Sequence, residues 1–360
     1  MRRKLIGAII AVIAFCAIVG TIIFIKMTNL NYIKLDKSDA SLGITAQNIS
    51  QAMDQQYLKK CKPSPSMSTS MSGINATETA ISTASASASA SAIKIKAHKL
   101  KTIALFGVDR RNKKSNSRSD IIMLMTIDYT KKKVKLSSIM RDLYVPIDDH
   151  GYTKLNHAYA YGGPQLALKT LNENFGLAIR DFCTVDFFSM EKIIDAAGGI
   201  KLDIAENEIE YLNGNLSGME NPKNKKTKHV VKAGLQVLDG AQAVSYSRIR
   251  YIGHGDFDRT DRQRKALKAL IIKIRGMGAK DSILFLSRML PDIETSLTRL
   301  QMIEIAVEYF KLQPMAIEEE RFPVDGTWKS GNIKGIYYIK ADLNQLEGQL
   351  QRYIYQDIRP

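Results

Sequence analysis

Residues 5–25, LIGAIIAVIAFCAIVGTIIFI, are apolar without a single charge. A helix needs about 20 such residues to cross a bilayer, so the run predicts one transmembrane helix. Arg2, Arg3 and Lys4 on its short side predict a cytoplasmic tail at 1–4, a single pass through the cell membrane and an external remainder. A cleaved signal peptide would have a shorter apolar region and a small-residue cleavage site. KMTNLNYIK follows instead, which favours an uncleaved anchor. Residues 26–62 are mixed and polar, a juxtamembrane segment with a short helix expected over ITAQNISQAMDQQYLKK. Residues 63–99 are rich in Ser, Ala and Thr, a composition that buries no core and reads as a tether.

Periodic patterning begins near residue 100 and defines one folded domain over 100–360. The apolar runs TIALFGVD (102–109) and DIIMLMTID (120–128) predict buried strands. KKVKLSSIMRD (132–142) alternates and predicts a third, joined to the second by a turn at 129–131. Pro164 opens a predicted helix that runs to about Asn174. A strand at 181–188 precedes a helix at 189–197, stopped by Gly198 and Gly199. IKLDI at 200–204 is a short strand, and 206–232 reads as a long mobile loop. Asp239 and Gln242 have capping-box spacing for a helix to Ser247. Thr260 and Gln263 have the same spacing and predict a second helix starting at Thr260. Further helices are expected at 281–290 and 296–312, a strand at 320–326, and a closing amphipathic helix at 342–355. Strands alternating with helices predict an α/β layered fold with an antiparallel portion at its start.

A hydrophobic content of 45% supports a real core. Cys16, Cys61 and Cys183 are scattered, with neither zinc spacing nor a disulfide framework. The formal net charge of +16 changes meaning once the domain is placed outside the membrane. That placement sets the domain apart from cytosolic nucleic acid. Anionic lipid head groups, phosphate-bearing glycans and wall polymers are the accessible partners.

That charge is concentrated in SRIRYIGHGDFDRTDRQRK, residues 247–265. On a helical wheel, Asp261, Arg264, Lys265 and Lys268 fall opposite the apolar stripe of Ala266, Leu267, Leu270, Ile271 and Ile274. Gln263 falls on the stripe, with Arg262 and Arg259 at its flank. Burying them unpartnered costs several kcal/mol. They are therefore expected to face a polar cavity at the helix N-terminus, where backbone N–H groups favour an anion. The planar fork of arginine suits phosphate. Arg248 and Arg250 join from the preceding segment, on one side if the chain there is extended. A salt-bridge lattice with Asp256, Asp258 and Asp261 is the plainer alternative.

Other clusters bear on the choice. Asp109 ends one predicted strand, and Asp120, after Arg118, begins the next. If those strands are antiparallel neighbours, both carboxylates reach one sheet edge and can share Mg²⁺ (or Mn²⁺) with waters and phosphate oxygens. Simple turn capping by either aspartate is equally compatible. Arg141 follows a strand, and KLNHAYAYGG offers Lys154, Asn156 and Tyr159. His157 reads as a packed histidine.

GVD, RSD, MRD, KLNHAYAYGG, VDF, GG, LDGAQAVSYSRIR and DFDRTDRQ occur in this order over 102–275. Together they resemble the LytR–CpsA–Psr proteins of Gram-positive cell envelopes. The resemblance implies a three-layer α/β/α sandwich with a central mixed sheet, whose apolar interior receives a polyprenyl chain. It implies a phosphotransferase that moves a teichoic acid or capsular polysaccharide from a polyprenyl pyrophosphate carrier onto peptidoglycan. By that resemblance, Asp109 and Asp120 hold the metal. Arg118, Arg141, Arg248, Arg250 and Arg259 bind pyrophosphate, with Arg262, Gln263, Lys154 and Asn156 beside them. Asp256 activates the acceptor hydroxyl, and Arg141 and Arg259 serve catalysis. Met140 replaces the family's usual proline, and Asp258 stands where glycine is common. A pyrophosphatase acting on the same donor, or a scaffold that only binds lipid pyrophosphate, would use the same arginines. A nucleic-acid binder lacks the interleaved aromatics expected for single strands.

Overall fold

The run expected to cross the membrane and the Ser/Ala-rich stretch lie outside the residues described by the structure, a computed structural model. It describes residues 30–46, 48, 100–110, 117–218, 227–253, 255–312 and 316–360. Among them no helix is long and apolar enough to cross a membrane.

The two apolar runs at 102–109 and 120–128 become the middle of a seven-stranded mixed sheet. Its order is β1 (Asn31–Tyr32), β10 (Glu294–Thr295), β7 (Phe182–Asp186), β2 (Leu100–Val108), β3 (Ser119–Asp128), β4 (Lys133–Ile139) and β11 (Ala316–Phe322). Along β3, Ile122 and Leu124 enter one core, while Ile121, Met123, Met125 and Ile127 enter another. Both faces are covered, which is why the run reads as continuously apolar. One face packs on α1 (His157–Phe175) and α8 (Leu343–Gln351) through Leu168, Leu171, Leu346 and Leu350. The other meets α5 (Asp256–Gly276) and α7 (Arg299–Lys311) through Leu267, Ile271, Ile305 and Tyr309. A further cluster joins α2 (Phe187–Ala196), α4 (Gly240–Ser247), α6 (Ala279–Met289) and the hairpin of β8 (Ile200–Ile204) and β9 (Gly234–Leu238). The fold is α/β with a central mixed sheet, as expected.

Several boundaries move. The helix expected from Thr260 starts a turn earlier, at Asp256, because Gly255 at φ 65° turns the chain into it. Thr260 is not a cap; its hydroxyl donates to the Asp256 carbonyl at 2.8 Å. The expected loop at 206–232 holds a 3₁₀ turn and α3 (Ile209–Gly218), with Leu212 and Leu216 buried. The helix expected from Pro164 does restart there, after Gly162 and Gly163 break α1. The Asp239–Gln242 capping box forms, with hydrogen bonds of 2.9 and 3.0 Å. Two hairpins went unread: β5 (Tyr144–Ile147) with β6 (Gly151–Lys154), and β12 (Trp328–Ile333) with β13 (Ile336–Ala341). The second turns on Lys334 and Gly335, both at positive φ, the two-residue turn that matches strand twist.

The first described segment belongs to the same body. β1 pairs with β10, and Leu35, Leu42 and Ile44 are buried in the core under α1. Asn172 Nδ2 donates to the Leu42 carbonyl at 2.8 Å, and Asn48 Nδ2 donates to the Leu177 carbonyl at 3.2 Å.

Candidate active site

β2 and β7 run parallel, and β4, two antiparallel steps from β2, runs the same way. Ligand sites of α/β sheets gather at such carboxyl ends. Asp109 follows β2 directly. The antiparallel register sets Val108 opposite Ser119, so Asp109 and Asp120 do share one sheet edge. Both line a polar cavity of about 240 Å³, together with Arg248 and Arg250 from the chain after α4, and Arg259 and Gln263 of α5. Phe187, Asn215 and Tyr251 complete the wall. Of these, Phe187 was legible only as part of the VDF motif. Asn215 was hidden because α3 was taken for loop.

Asp256, at the first turn of α5, is the hub. Its Oδ2 accepts from Arg141 Nη2 and Arg259 Nη2, each at 3.1 Å. Its Oδ1 faces Arg250 Nε at 3.6 Å. Arg141 also pairs with Asp120 and, at 3.4 Å, with Asp142. One guanidinium thus ties the sheet edge to the start of α5. Burial pulls the Arg141 pKa down, but Asp120, Asp256 and Asp142 outweigh it and the net direction is up. Arg259 goes the other way, to about 10, through burial first and then repulsion from Arg141 and Arg250, partly offset by Asp256. Its Nε is buried without a partner. Around this centre Arg141, Arg248, Arg250 and Arg259 gather with Asp109, Asp120, Asp142 and Asp256. Asp142 is shared with Lys154, so among these residues cations outnumber carboxylates, an imbalance that suits an anion.

Other expected residues lie elsewhere. Arg262 is turned away from the cavity: its Nε meets Glu208 Oε1 at 2.7 Å and its Nη1 donates to the Ile249 carbonyl at 3.3 Å. That buried pair replaces the expected phosphate contact, and its partner sits in the segment read as loop. Lys154 does not line the cavity and pairs with Asp142 at 2.7 Å. Asn156 is buried, and its backbone N–H donates to the Arg141 carbonyl at 3.1 Å, so it positions Arg141 rather than reaching the cavity. Arg118 lies outside the cavity wall but within electrostatic reach of His157. Burial, then Arg118 and Lys154, lower the His157 pKa, and Thr153 Oγ1 sits 2.8 Å from its Nδ1. His157 is packed, as expected. Met140 is buried, and its sulfur lies 3.6 Å from the Thr260 hydroxyl oxygen, a contact between α5 and the end of β4.

An apolar cavity of about 320 Å³ lies between the sheet and α5, walled by Met123, Met190, Leu267, Ile271 and Met289 among others. Phe187 and Gln263 line both cavities, so the two adjoin. A larger open groove of about 840 Å³, between the β8–β9 hairpin and α5, contains none of the expected site residues.

Fold and cavities define an α/β protein with an arginine-lined polar cavity beside an apolar pocket. The chain belongs to the LytR_cpsA_psr family, whose model matches residues 67–352. It is 33% identical over 171 residues to the regulatory protein MsrR of Staphylococcus aureus, 47% of each chain. It thus spans about half the length of that curated relative. It is 30% identical over 260 residues to the Bacillus cereus polyisoprenyl-teichoic acid–peptidoglycan teichoic acid transferase TagU, covering 70% of this chain and 78% of that one. A solved structure of TagT bound to LI-WTA aligns with a TM-score of 0.58 at 26% identity, over 72% of this chain and 90% of that one.

Proposed function

We propose that the chain is a membrane-anchored phosphotransferase. It moves an anionic glycopolymer, a teichoic acid or capsular polysaccharide, from a polyprenyl pyrophosphate carrier to peptidoglycan. One juxtaposition carries the reading: an arginine-lined cavity shares Phe187 and Gln263 with an apolar one. Diphosphate and hydrocarbon are the two parts of such a donor. The name of TagU and the ligand of the TagT structure support it.

Arg248, Arg250 and Arg259 take the diphosphate oxygens through charge-assisted hydrogen bonds. Each guanidinium that turns to the donor releases an oxygen of Asp256. Asp256 then receives the proton of the acceptor hydroxyl as that oxygen bonds to the glycan-bearing phosphorus. The bond from that phosphorus to the bridging oxygen breaks, and polyprenyl phosphate leaves with the electron pair beside the arginines. Positioning and charge neutralisation supply most of the catalysis. Asp109 and Asp120 are the residues that would hold Mg²⁺ (or Mn²⁺). Two carboxylates on one cavity, with substrate oxygens and waters, are the hard donor set this ion takes. When bound it would neutralise diphosphate charge. Residues 5–25 would anchor the protein, with Arg2, Arg3 and Lys4 inside.

Incubation with radiolabelled lipid-linked polymer and peptidoglycan is expected to move label into the wall. Label released only as free glycan phosphate makes the protein a pyrophosphatase. Asp256→Asn is expected to slow turnover by roughly 100-fold or more with donor binding retained. If the parent binds donor without turnover and Asp256→Asn binds it alike, the protein is a scaffold. Donor affinity is expected to fall on chelation of divalent ions.

A further inference from the structure

The charge network continues from Arg141 to residues that lie outside the anion cavity. Asp142 Oδ2 is 3.4 Å from Arg141 Nε, and Asp142 Oδ1 is 2.7 Å from Lys154 Nζ. Lys154 Nζ in turn lies 5.9 and 5.7 Å from the ring centroids of Tyr337 and Tyr338. Tyr338 meets Tyr144 edge-on at 4.9 Å, and Tyr144 meets Tyr152 at 5.3 Å. The register sets Tyr144 opposite Lys154, so Tyr144, Tyr152 and Lys154 share one face of the β5–β6 hairpin. The β12–β13 hairpin is seated against the start of α5: Trp328 stacks at 4.3 Å on Phe257, the neighbour of Asp256.

Tyr152 and Tyr337 are 60% and 42% exposed. Tyr152 rests against Tyr144, and Tyr337 against the Lys154 ammonium; aromatic rings left in water with polar rims mark a contact surface. The rings narrow its partner. Asp142 is shared by Arg141 and Lys154, and the β12–β13 hairpin adds the exposed Lys329, Lys334 and Lys340, so the rim of the strip is basic. Ring faces bordered by phenol hydroxyls suit pyranose rings, whose C–H faces stack while their hydroxyl and acetamido groups hydrogen-bond, and a basic rim accepts a carboxylate substituent on such a ring.

We propose that the tyrosine strip of the β5–β6 and β12–β13 hairpins is the acceptor site. It lays the N-acetylated sugar rings of a glycan strand over Tyr337 and Tyr152 and brings one hydroxyl to Asp256. The delivery step rests on the transferase reading; the binding of glycan does not. Burial, then Asp142 and Asp256, raise the Tyr337 pKa, which keeps its hydroxyl a donor beside those carboxylates.

Trp328 is the single tryptophan of the chain, so its fluorescence reports on the strip without a label. The probe is a peptidoglycan tetrasaccharide of alternating N-acetylglucosamine and N-acetylmuramic acid, titrated into the full chain. A saturable change is expected, with Kd rising about ten-fold in Tyr337→Ala and in Tyr152→Ala. Farnesyl pyrophosphate, titrated in parallel, is expected to keep its affinity in both variants, which also verifies their folding. In the unaltered protein, the tetrasaccharide is expected to slow amide exchange in 144–154 and 328–341. No saturable glycan binding, unchanged affinity in both variants, or protection confined to other segments overturns the proposal. Failure of the transferase reading looks different: glycan held at the strip, with no labelled polymer transferred to it.

Discussion

Two arginines three residues apart on α5 have opposite fates. Arg259 opens into the cavity, whereas Arg262 is spent on Glu208. Helical spacing alone placed Arg259 and Gln263 toward a polar cavity, and both line it. The same spacing could not see that a buried carboxylate waits beside Arg262, because a partner from another element is a tertiary fact. Their substitutions should therefore separate. Arg262→Ala strands the Glu208 carboxylate and is expected to cost about 3 kcal/mol of unfolding free energy in urea, with donor affinity unchanged. Replacing both by leucine is expected to recover most of that loss. Arg250, with a side chain 41% exposed, is expected to show the reverse on change to alanine. Stability stays within about 0.5 kcal/mol while donor binding weakens roughly ten-fold.

At the scale of elements, long apolar strands were legible because both of their faces are buried. The two hairpins beside Asp256 were not. Their strands are short, several of their tyrosines stay in water, and a Lys-Gly turn is a weak signal. β10, with two residues, offers no periodicity at all. One interaction between elements sets an acid limit on stability. Lys135 of β4 is fully buried, donating to the carbonyls of Tyr353 at 2.6 Å and Ile354 at 3.3 Å and pairing with Asp357 at 2.9 Å. Burial alone would raise the Asp357 pKa. Hydrogen bonds from Lys131, Lys135 and Lys133 overcome it and hold that carboxyl far below its ordinary value. The unfolded chain then binds more protons than the folded one as the solution acidifies. The stabilisation is whole above about pH 4 and is lost as pH falls below it. Urea midpoints between pH 7 and pH 3 are expected to drop at the acid end. Asp357→Asn is expected to flatten that drop and to lower stability by about 3 kcal/mol at neutral pH, since Lys135 keeps its buried charge.

For the whole molecule, the segment before residue 49 matters more than its composition suggested. Three apolar side chains, Leu35, Leu42 and Ile44, carry its docking, without the periodicity that would have announced it. Leu42→Ala is expected to cost about 2–5 kcal/mol, read from thermal or urea unfolding. Asn48 and Leu100, on either side of the Ser/Ala-rich stretch, both belong to this body. With residues 5–25 in the bilayer, as proposed, only residues 26–29 would separate lipid from the first described residue, and four residues reach at most about 14 Å. A protein so anchored would work on a short leash, meeting a carrier at the height of the lipid head groups and grasping only the innermost strands of the wall.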